Sequence, residues 1–263
     1  MNKQFYKDSL KMLFPIILQN IFAAMMGSVD VIMLNSVGQD AIAAGSLATQ
    51  YSGLVFMFYS GISSDSILLA AQYFGKKDFK ALEAIEGIAL KCSLAVAVAF
   101  SVGASLFPEK LMRVYTADPV LISEGAEYLR IIWVFYLLWA VSNTYFSMLR
   151  SANHVSVATF FNGVGFFLNI ILNAVFIFGF FGIEKMGIRG VALATCISQA
   201  VCVAGCFIVS ARSKDIKLKF SYMFIKSSSL AKDFFKMSLP ALLNDVFCGA
   251  AFCAYVAIMG WLG

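Results

Sequence analysis

One acidic side chain, Asp30, interrupts an apolar stretch over residues 12–34 that contains no lysine or arginine. A carboxylate inside a membrane costs about 2.5–3.5 kcal/mol on insertion scales, and acids in such positions usually bind or move ions. A carboxyl group can do this by releasing a proton when water reaches it, or by ligating a hard cation through its oxygens. Asp30 is therefore the first candidate functional residue of the sequence.

Asp30 shares one predicted helix face with other distinctive residues. Side chains three or four positions apart lie on the same side of an α-helix, and this spacing joins Pro15, Gln19, Ala23, Met26 and Asp30. The face holds the polar groups of the stretch, so we expect it to point into a helix bundle. Proline lacks the backbone N–H that continues a helix, and we expect a bend at Pro15.

Two later apolar stretches carry amide and hydroxyl groups at helical spacing. They are Asn162, Gly165, Asn169 and Asn173 in residues 155–181, and Thr195, Ser198, Gln199 and Cys202 in residues 190–211. Together with a carboxylate, amide and hydroxyl oxygens form the type of ligand set that hard cations such as Na⁺ prefer. The alternative interpretation is that these groups only join helices by hydrogen bonds, each worth about 0.6 kcal/mol in membranes.

The composition identifies the elements that must position these side chains. Of the 263 residues, 60% are hydrophobic and 13% charged, and the mean hydropathy is +0.82, whereas soluble domains carry roughly 25% charged residues. The apolar residues form seven blocks, at 12–34, 47–70, 89–107, 129–149, 155–181, 190–211 and 234–259. Each is about the 20 residues that cross a bilayer as a helix. We predict an all-α integral membrane protein with seven transmembrane helices.

The basic residues predict the orientation of these helices. Only Lys110, Arg113, Arg130, Lys185 and Arg189 of the 20 lysines and arginines fall in the odd-numbered connections. By the positive-inside rule, the N-terminus and the even-numbered connections are cytoplasmic. The net charge of +5 then reflects topology, and we predict no nucleic-acid partner.

An internal repeat links the first and last blocks. The segment "KDSLKMLFPIILQN" (7–20) aligns without a gap to "KDFFKMSLPALLND" (232–245), which matches Pro15 with Pro240 and Asn20 with Asp245. Six helices separate the copies, so the repeats run parallel. We therefore expect a six-helix N-terminal lobe with a cytoplasmic linker over residues 1–231. Residues 232–263 are then the first helix of an incomplete C-terminal lobe, which suggests a truncated chain.

Several stretches resemble the MATE (multidrug and toxic compound extrusion) transporters. They are "VGQDAIAAGSLATQ" (37–50), "AAQYFGKKDFKAL" (70–82), "YLRI" (128–131), "LNIILNAVFIFG" (168–179) and "MGIRGVALATCISQ" (186–199), together with Pro15 and Asp30. Their order and spacing cover most of residues 12–200. The resemblance implies one six-helix lobe of a twelve-helix, two-lobe transporter with a central cavity, plus helix seven.

The resemblance also implies roles for individual residues. Asp30, Asn169, Asn173 and Thr195 align with the family's cation site, so H⁺ or Na⁺ is the expected coupling ion. Because some prokaryotic members carry an aspartate in place of Asn173, the choice between the two ions stays open. Possible cavity-lining residues are Gln19, Met26, Tyr51, Asp65, Tyr136, Asn143, Gln199 and Asp245.

The predicted function is secondary active efflux of organic, often cationic, compounds in exchange for H⁺ or Na⁺. No GxxxxGK[ST] motif is present and the connections are too short for a catalytic domain, so we expect neither an enzyme nor a cofactor. The expected partners are the lipid bilayer, small organic substrates and the missing second lobe, and the expected location is the plasma membrane. The alternatives are a lipid-linked oligosaccharide flippase of the same superfamily and a non-transporting truncated remnant.

Overall fold

The computed structural model describes residues 3–213, 215–225 and 227–262, and in these ranges the regular elements are all helical. The α-helices are α1 (Lys3–Leu34), α2 (Gln39–Gly75), α3 (Phe79–Leu106), α4 (Pro108–Met112), α5 (Pro119–Ser151), α6 (Val155–Phe178), α7 (Gly187–Arg212) and α8 (Ser228–Leu262). Two short 3₁₀ turns lie at Phe180–Gly182 and Phe220–Phe224.

All of these helices except α4 contain a segment that is long and apolar enough to cross a membrane. In the described part of the chain there are 7 such segments, and they coincide with the seven blocks of the sequence. The prediction of an all-α protein with seven membrane-spanning helices is therefore confirmed.

The helices extend beyond the apolar blocks where polar residues favour helix starts. Helix α2 begins at Gln39, with Asp40 in its first turn, where a negative charge interacts favourably with the helix dipole. Helix α5 begins at Pro119, and the Asp118 carboxylate accepts a hydrogen bond from the Val120 N–H at 2.8 Å. Hydropathy detects the part of a helix suited to lipid, so the predicted starts at 47 and 129 were too late.

Helix α5 is the centre of the packing and contacts α2, α3 and α7 along its length. Alanines with no exposed surface, including Ala48, Ala97, Ala140 and Ala192, line these contacts. Small side chains let membrane helices approach closely, which is how van der Waals packing replaces the hydrophobic effect in lipid. Helix α1 packs mainly on α6, which in turn packs on α7.

The two helices of the internal repeat are the least enclosed. Only 12% of the apolar window of α1 and 6% of that of α8 are buried, against 33–56% for the other five spans. Both helices contain their proline in the interior, at Pro15 and Pro240. Helix α8 packs on α2, where Gly61 admits the backbone of Leu242. The division at residues 231 and 232 stays a prediction.

Candidate cation site

Four polar side chains from three helices form one hydrogen-bonded chain. The Nδ2 atom of Asn173 donates to Oδ1 of Asp30 at 2.6 Å and to Oδ1 of Asn169 at 3.1 Å. The Nδ2 atom of Asn169 donates to Oγ1 of Thr195 at 3.1 Å. The structure thus brings together Asp30 of α1, Asn169 and Asn173 of α6, and Thr195 of α7, which are the four residues predicted to form a cation site.

The four hydrogen-bonded side chains are buried in the lobe. Asn169 and Asn173 have no exposed surface, and Asp30 and Thr195 are 8% and 6% exposed. Thr195 is itself anchored, because its hydroxyl donates to the Val191 carbonyl oxygen at 2.9 Å. Buried polar groups that are tied to each other in this way are held in defined positions.

One acceptor of the chain is left over. Both hydrogens of the Asn173 amide nitrogen are used, whereas its Oδ1 is buried with no hydrogen-bond partner among the residues that the structure describes. A buried acceptor without a partner carries a desolvation cost of about 1–3 kcal/mol. This oxygen belongs to the amide whose nitrogen contacts Asp30, so rotation of that amide would turn a free oxygen toward the carboxylate.

Close helix contacts position the two asparagines. A Cβ atom added to Gly165 would lie 2.6 Å from the Cys202 sulfur, and one added to Gly190 would lie 2.8 Å from Cβ of Phe176. These glycines therefore allow α6 and α7 to approach near Asn169 and Thr195. Gly165 was noted in the sequence for its spacing, and its packing role comes from the structure.

Tyr128, which the sequence did not indicate, places a phenol beside the site. Tyr128 of α5 is 4% exposed and lies close enough to Asp30 to interact with it electrostatically. Its only signal in the sequence is a polar side chain in the stretch "YLRI", whose role the family resemblance left open. The central helix α5 therefore also contributes a side chain next to Asp30.

A second network holds α1 near Pro15. The Nε2 atom of Gln19 donates to the Thr159 hydroxyl at 2.7 Å, and the Gln19 side-chain Oε1 accepts from the Arg150 guanidinium at 3.3 Å. The Thr159 hydroxyl also lies 3.2 Å from the backbone oxygen of Pro15. Gln19 therefore binds α6 and α5 instead of facing open space, and Thr159 and Arg150 are contacts that the sequence did not indicate.

The remaining candidate residues lie apart from the four-residue chain. Asn143 donates to the Ser63 hydroxyl at 2.6 Å, and Gln199 contacts Ser142 of α5. Tyr51 donates to the Phe100 carbonyl oxygen at 2.9 Å, and Tyr136 pairs with Ser52 at 2.9 Å. Both tyrosines are buried, so they have little surface to offer a substrate.

Asp65 and Asp245 approach each other where α2 meets α8. Their like charges interact, and Oδ2 of Asp65 is buried without a hydrogen-bond partner in the described ranges. Met26 lies half-buried on α1. The roles of these three residues in a cavity stay predictions.

Sequence similarity connects the chain to one protein family and to curated relatives. The model of the MatE family matches residues 15–175. The chain is 26% identical over 256 residues to the "Probable multidrug resistance protein YoeA" of Bacillus subtilis. The aligned region covers 95% of this chain and 55% of that protein. It is 24% identical over 243 residues to the "Probable multidrug resistance protein NorM" of Thermotoga maritima, covering 92% and 52% of the two chains.

The fold is also similar to that of a solved structure, the "Crystal structure of MATE in the bent conformation". The TM-score is 0.82 at 20% sequence identity, over 92% of this chain and 53% of the other. The chain thus spans about half the length of the curated relatives it matches.

Proposed function

The chain belongs to the MatE family, whose members are transporters and not enzymes, and we propose that it forms the N-terminal part of a secondary active multidrug efflux antiporter. The substrates are organic, often cationic, compounds, and the exchanged ion is H⁺ or Na⁺. The observation that carries the proposal is the hydrogen bond between Asp30 and Asn173, which ties the only carboxylate of α1's apolar segment to α6 and, through Asn169, to α7.

The hydrogen bonds provide a way to couple ion binding to helix position. While Asp30 is ionised, its Oδ1 accepts from Asn173. A proton on that oxygen would turn it into a donor, and the Asn173 amide would have to rotate so that its unpartnered Oδ1 accepts instead. Rotation would also break the bond to Asn169, so one proton changes contacts on α1 and α6 and frees the oxygen of the amide that binds Thr195 of α7.

A sodium ion would act through the same atoms. The Asp30 carboxylate and the Asn173 amide oxygen supply one charge and one neutral ligand, which suit a hard monovalent cation. In both cases the negative charge of Asp30 is neutralised, and its hydrogen bond with Asn173 weakens. We propose that α1 then moves relative to α6, with Pro15 as the bend and the Gln19–Thr159 contact as the second point of attachment.

Transport requires a second lobe in this proposal. Residues 1–231 form the first lobe and its linker, and residues 232–263 form the first helix of the second lobe. The support is the alignment of α1 with α8, the low burial of both helices, and the coverage of about half of each relative. The N-terminus and the linker are cytoplasmic in this arrangement, in the plasma membrane.

The flippase alternative is not favoured. A cavity for a lipid pyrophosphate needs several free arginines among the spans. Of the five arginines in the sequence, Arg130 and Arg189 are paired with Glu109 and Glu127 at 2.9 Å and 2.6 Å, and Arg113 and Arg212 lie at the ends of α4 and α7. Arg150 is engaged by Gln19 and Ser147.

The function is tested by drug efflux from proteoliposomes with an imposed H⁺ or Na⁺ gradient. We expect the chain joined to the second lobe of its relative YoeA to export cationic dyes when a gradient is present, and the 263-residue chain alone to show none. Export by the joined protein without any gradient would contradict antiport. A joined protein that folds and binds no substrate would favour the non-transporting remnant.

The orientation is tested by labelling single cysteines in a cysteine-free background. We expect position 217 to react with an impermeant reagent only after the cells are opened, and position 40 to react in intact cells. Labelling of position 217 from outside would contradict the positive-inside assignment.

A further inference from the structure

A second buried carboxyl group lies in α3, far from Asp30 in the chain. Glu86 is 3% exposed, and its Oε1 has no hydrogen-bond partner among the residues that the structure describes. The described residues also provide no salt bridge to it, since the two that the structure contains join other residues. An ionised carboxylate without a partner is costly to bury, so this environment suits the neutral acid.

The group is covered by the connection that follows α7. We call residues 215–225 the linker segment. The Tyr222 hydroxyl donates to Oε1 of Glu83 at 2.8 Å, and the Tyr145 hydroxyl donates to the Ile216 carbonyl oxygen at 3.3 Å. The Leu218 N–H donates to the Ser210 hydroxyl at 2.7 Å. Side chains of α3, α5 and α7 thus hold the linker segment.

The contact between α3 and the linker segment is unusually close. A Cβ atom at Gly87 would lie 2.1 Å from the Tyr222 carbonyl oxygen, so only glycine permits this approach. The packing leaves a cavity of about 10 Å³, about the volume for one water molecule, and Glu86 lines it. The linker segment therefore covers the carboxyl group of Glu86, and its displacement would expose that group to water.

The surroundings disfavour a negative charge on Glu86. Titratable and charged groups near it are Glu83 of α3, Tyr145 of α5, Cys206 of α7, which interacts with Tyr145, and Asp215, Lys217 and Tyr222 of the linker segment. Glu83 lies one turn away and its negative charge opposes a second one. Lys217 could compensate, but its side chain is exposed. Burial and the hydrogen bond to Glu83 also raise the pKa of the Tyr222 phenol.

We propose that Glu86 is a proton-binding site, protonated while the linker segment is docked on α3 and ionised when the segment lifts away. The two halves of the transporter would be joined by this segment, so its docking makes the link between them sensitive to pH. The site stands apart from Asp30 and does not depend on which ion drives transport. Because docking buries the carboxyl, docking is favoured at low pH and weakened as the pH rises.

Hydrogen exchange of the linker segment tests the proposal in the purified 263-residue chain in detergent micelles. After correction for the intrinsic pH dependence of exchange, we expect protection of residues 216–222 to fall as the pH rises. The fall should be at most about tenfold per pH unit, the slope for one linked proton. The Glu86→Gln variant should keep its protection at high pH. Protection that falls equally in this variant, or that follows Na⁺ concentration at fixed pH, would overturn the proposal.

Two further variants separate proton binding from simple loss of structure. Glu83→Gln gives Tyr222 a weaker, neutral acceptor, so protection should be lower at low pH. The fall of protection with rising pH should remain but be smaller, because the repulsion between Glu83 and Glu86 is gone. Glu86→Met replaces the acid by an apolar side chain of similar size, so the linker segment should stay docked at all pH values even if the glutamine variant fails to fold.

Infrared spectroscopy provides an independent readout. In the Asp30→Asn background, we expect the band of a protonated carboxylic acid in the docked protein at neutral pH, and a loss of its intensity on adding Glu86→Gln. A band of equal intensity in the double variant would assign the proton to another group and overturn the proposal.

Discussion

Asp30 and Glu86, two buried acids among the described residues of this lobe, differ in their hydrogen-bond partners. Asp30 accepts a hydrogen bond from Asn173, and a chain of amides and a hydroxyl continues behind it. Glu86 has an unpartnered oxygen, a second glutamate one turn away, and the linker segment as its cover. Hydrogen bonds to a carboxylate favour its charged form, whereas burial without them favours the neutral form. Burial disfavours the charged form of both acids, and only at Asp30 does a hydrogen bond within the described residues, the one from Asn173, oppose that effect.

The largest expected effect comes from removing the charge at Asp30. In the protein joined to a second lobe, Asp30→Asn should reduce gradient-driven efflux to the level of empty vesicles, because an amide cannot exchange a proton or neutralise a cation. The protein should still insert, since the asparagine oxygen can accept from Asn173. The matched control is Asp40→Asn, the same chemical change at an exposed helix start. Coupled efflux that survives in Asp30→Asn would leave Asp30 with a packing role only.

The next effect tests whether Asn173 supports the charge of Asp30. Asn173→Ala removes a hydrogen bond to a charged group, and we expect a loss of about 1.5–3 kcal/mol in the free energy of unfolding, measured in mixed micelles. In the Asp30→Asn background the same change should cost less, because the charge that needed the donor is gone. Equal costs in the two backgrounds would show that the two side chains are not coupled.

Asn162→Ala is the control for that cycle. Asn162 is half-buried and donates to the Ala158 carbonyl oxygen of its own helix at 2.8 Å. Its replacement should therefore cost well under half as much as that of Asn173, and should be independent of Asp30.

A third test compares two glycines at close contacts. Gly87 lets the linker segment approach α3, and Gly165 lets α6 and α7 approach each other. Gly87→Ala places a methyl group against the backbone oxygen of Tyr222, which cannot rotate away, so we expect the linker segment to undock and its amides to exchange fast at every pH. Such overpacking typically costs about 1–3 kcal/mol. Linker protection equal to that of the parent chain would show that the contact with α3 does not hold the segment.

The smallest effect is expected for Gly165→Ala. Its methyl group would meet the Cys202 sulfur, the end of a side chain that can turn, so we expect a loss of under about 1 kcal/mol in unfolding free energy. Gly53→Ala, with no atom near the added methyl group, is the control and should be neutral or stabilising. A larger loss at Gly165 than at Gly87 would reverse the assignment of the tighter contact.

Much of the fold followed from the sequence. Seven apolar blocks, each long enough to cross a bilayer, predicted seven spanning helices. A helix can cross a bilayer because its backbone N–H and C=O groups are hydrogen-bonded within the segment. Asp30 was conspicuous because no basic residue accompanies it. The spacing of Asn169 and Asn173 placed them on one face, and the structure finds them hydrogen-bonded to each other. The helix starts were less accurate, since hydropathy does not detect capping residues.

Which faces meet was decided by the tertiary structure alone. Helical periodicity defines the face of each helix, but the rotation and depth of neighbouring helices depend on packing, as at Gly165 and Gly190. For this reason the sequence could place Gln19 on a helix face, but it could not identify Thr159 as its hydrogen-bond partner. The partner of Gln199, Ser142, could not be identified either. Glu86 passed unnoticed because its environment is created by a segment more than a hundred residues later, which only folding brings onto α3.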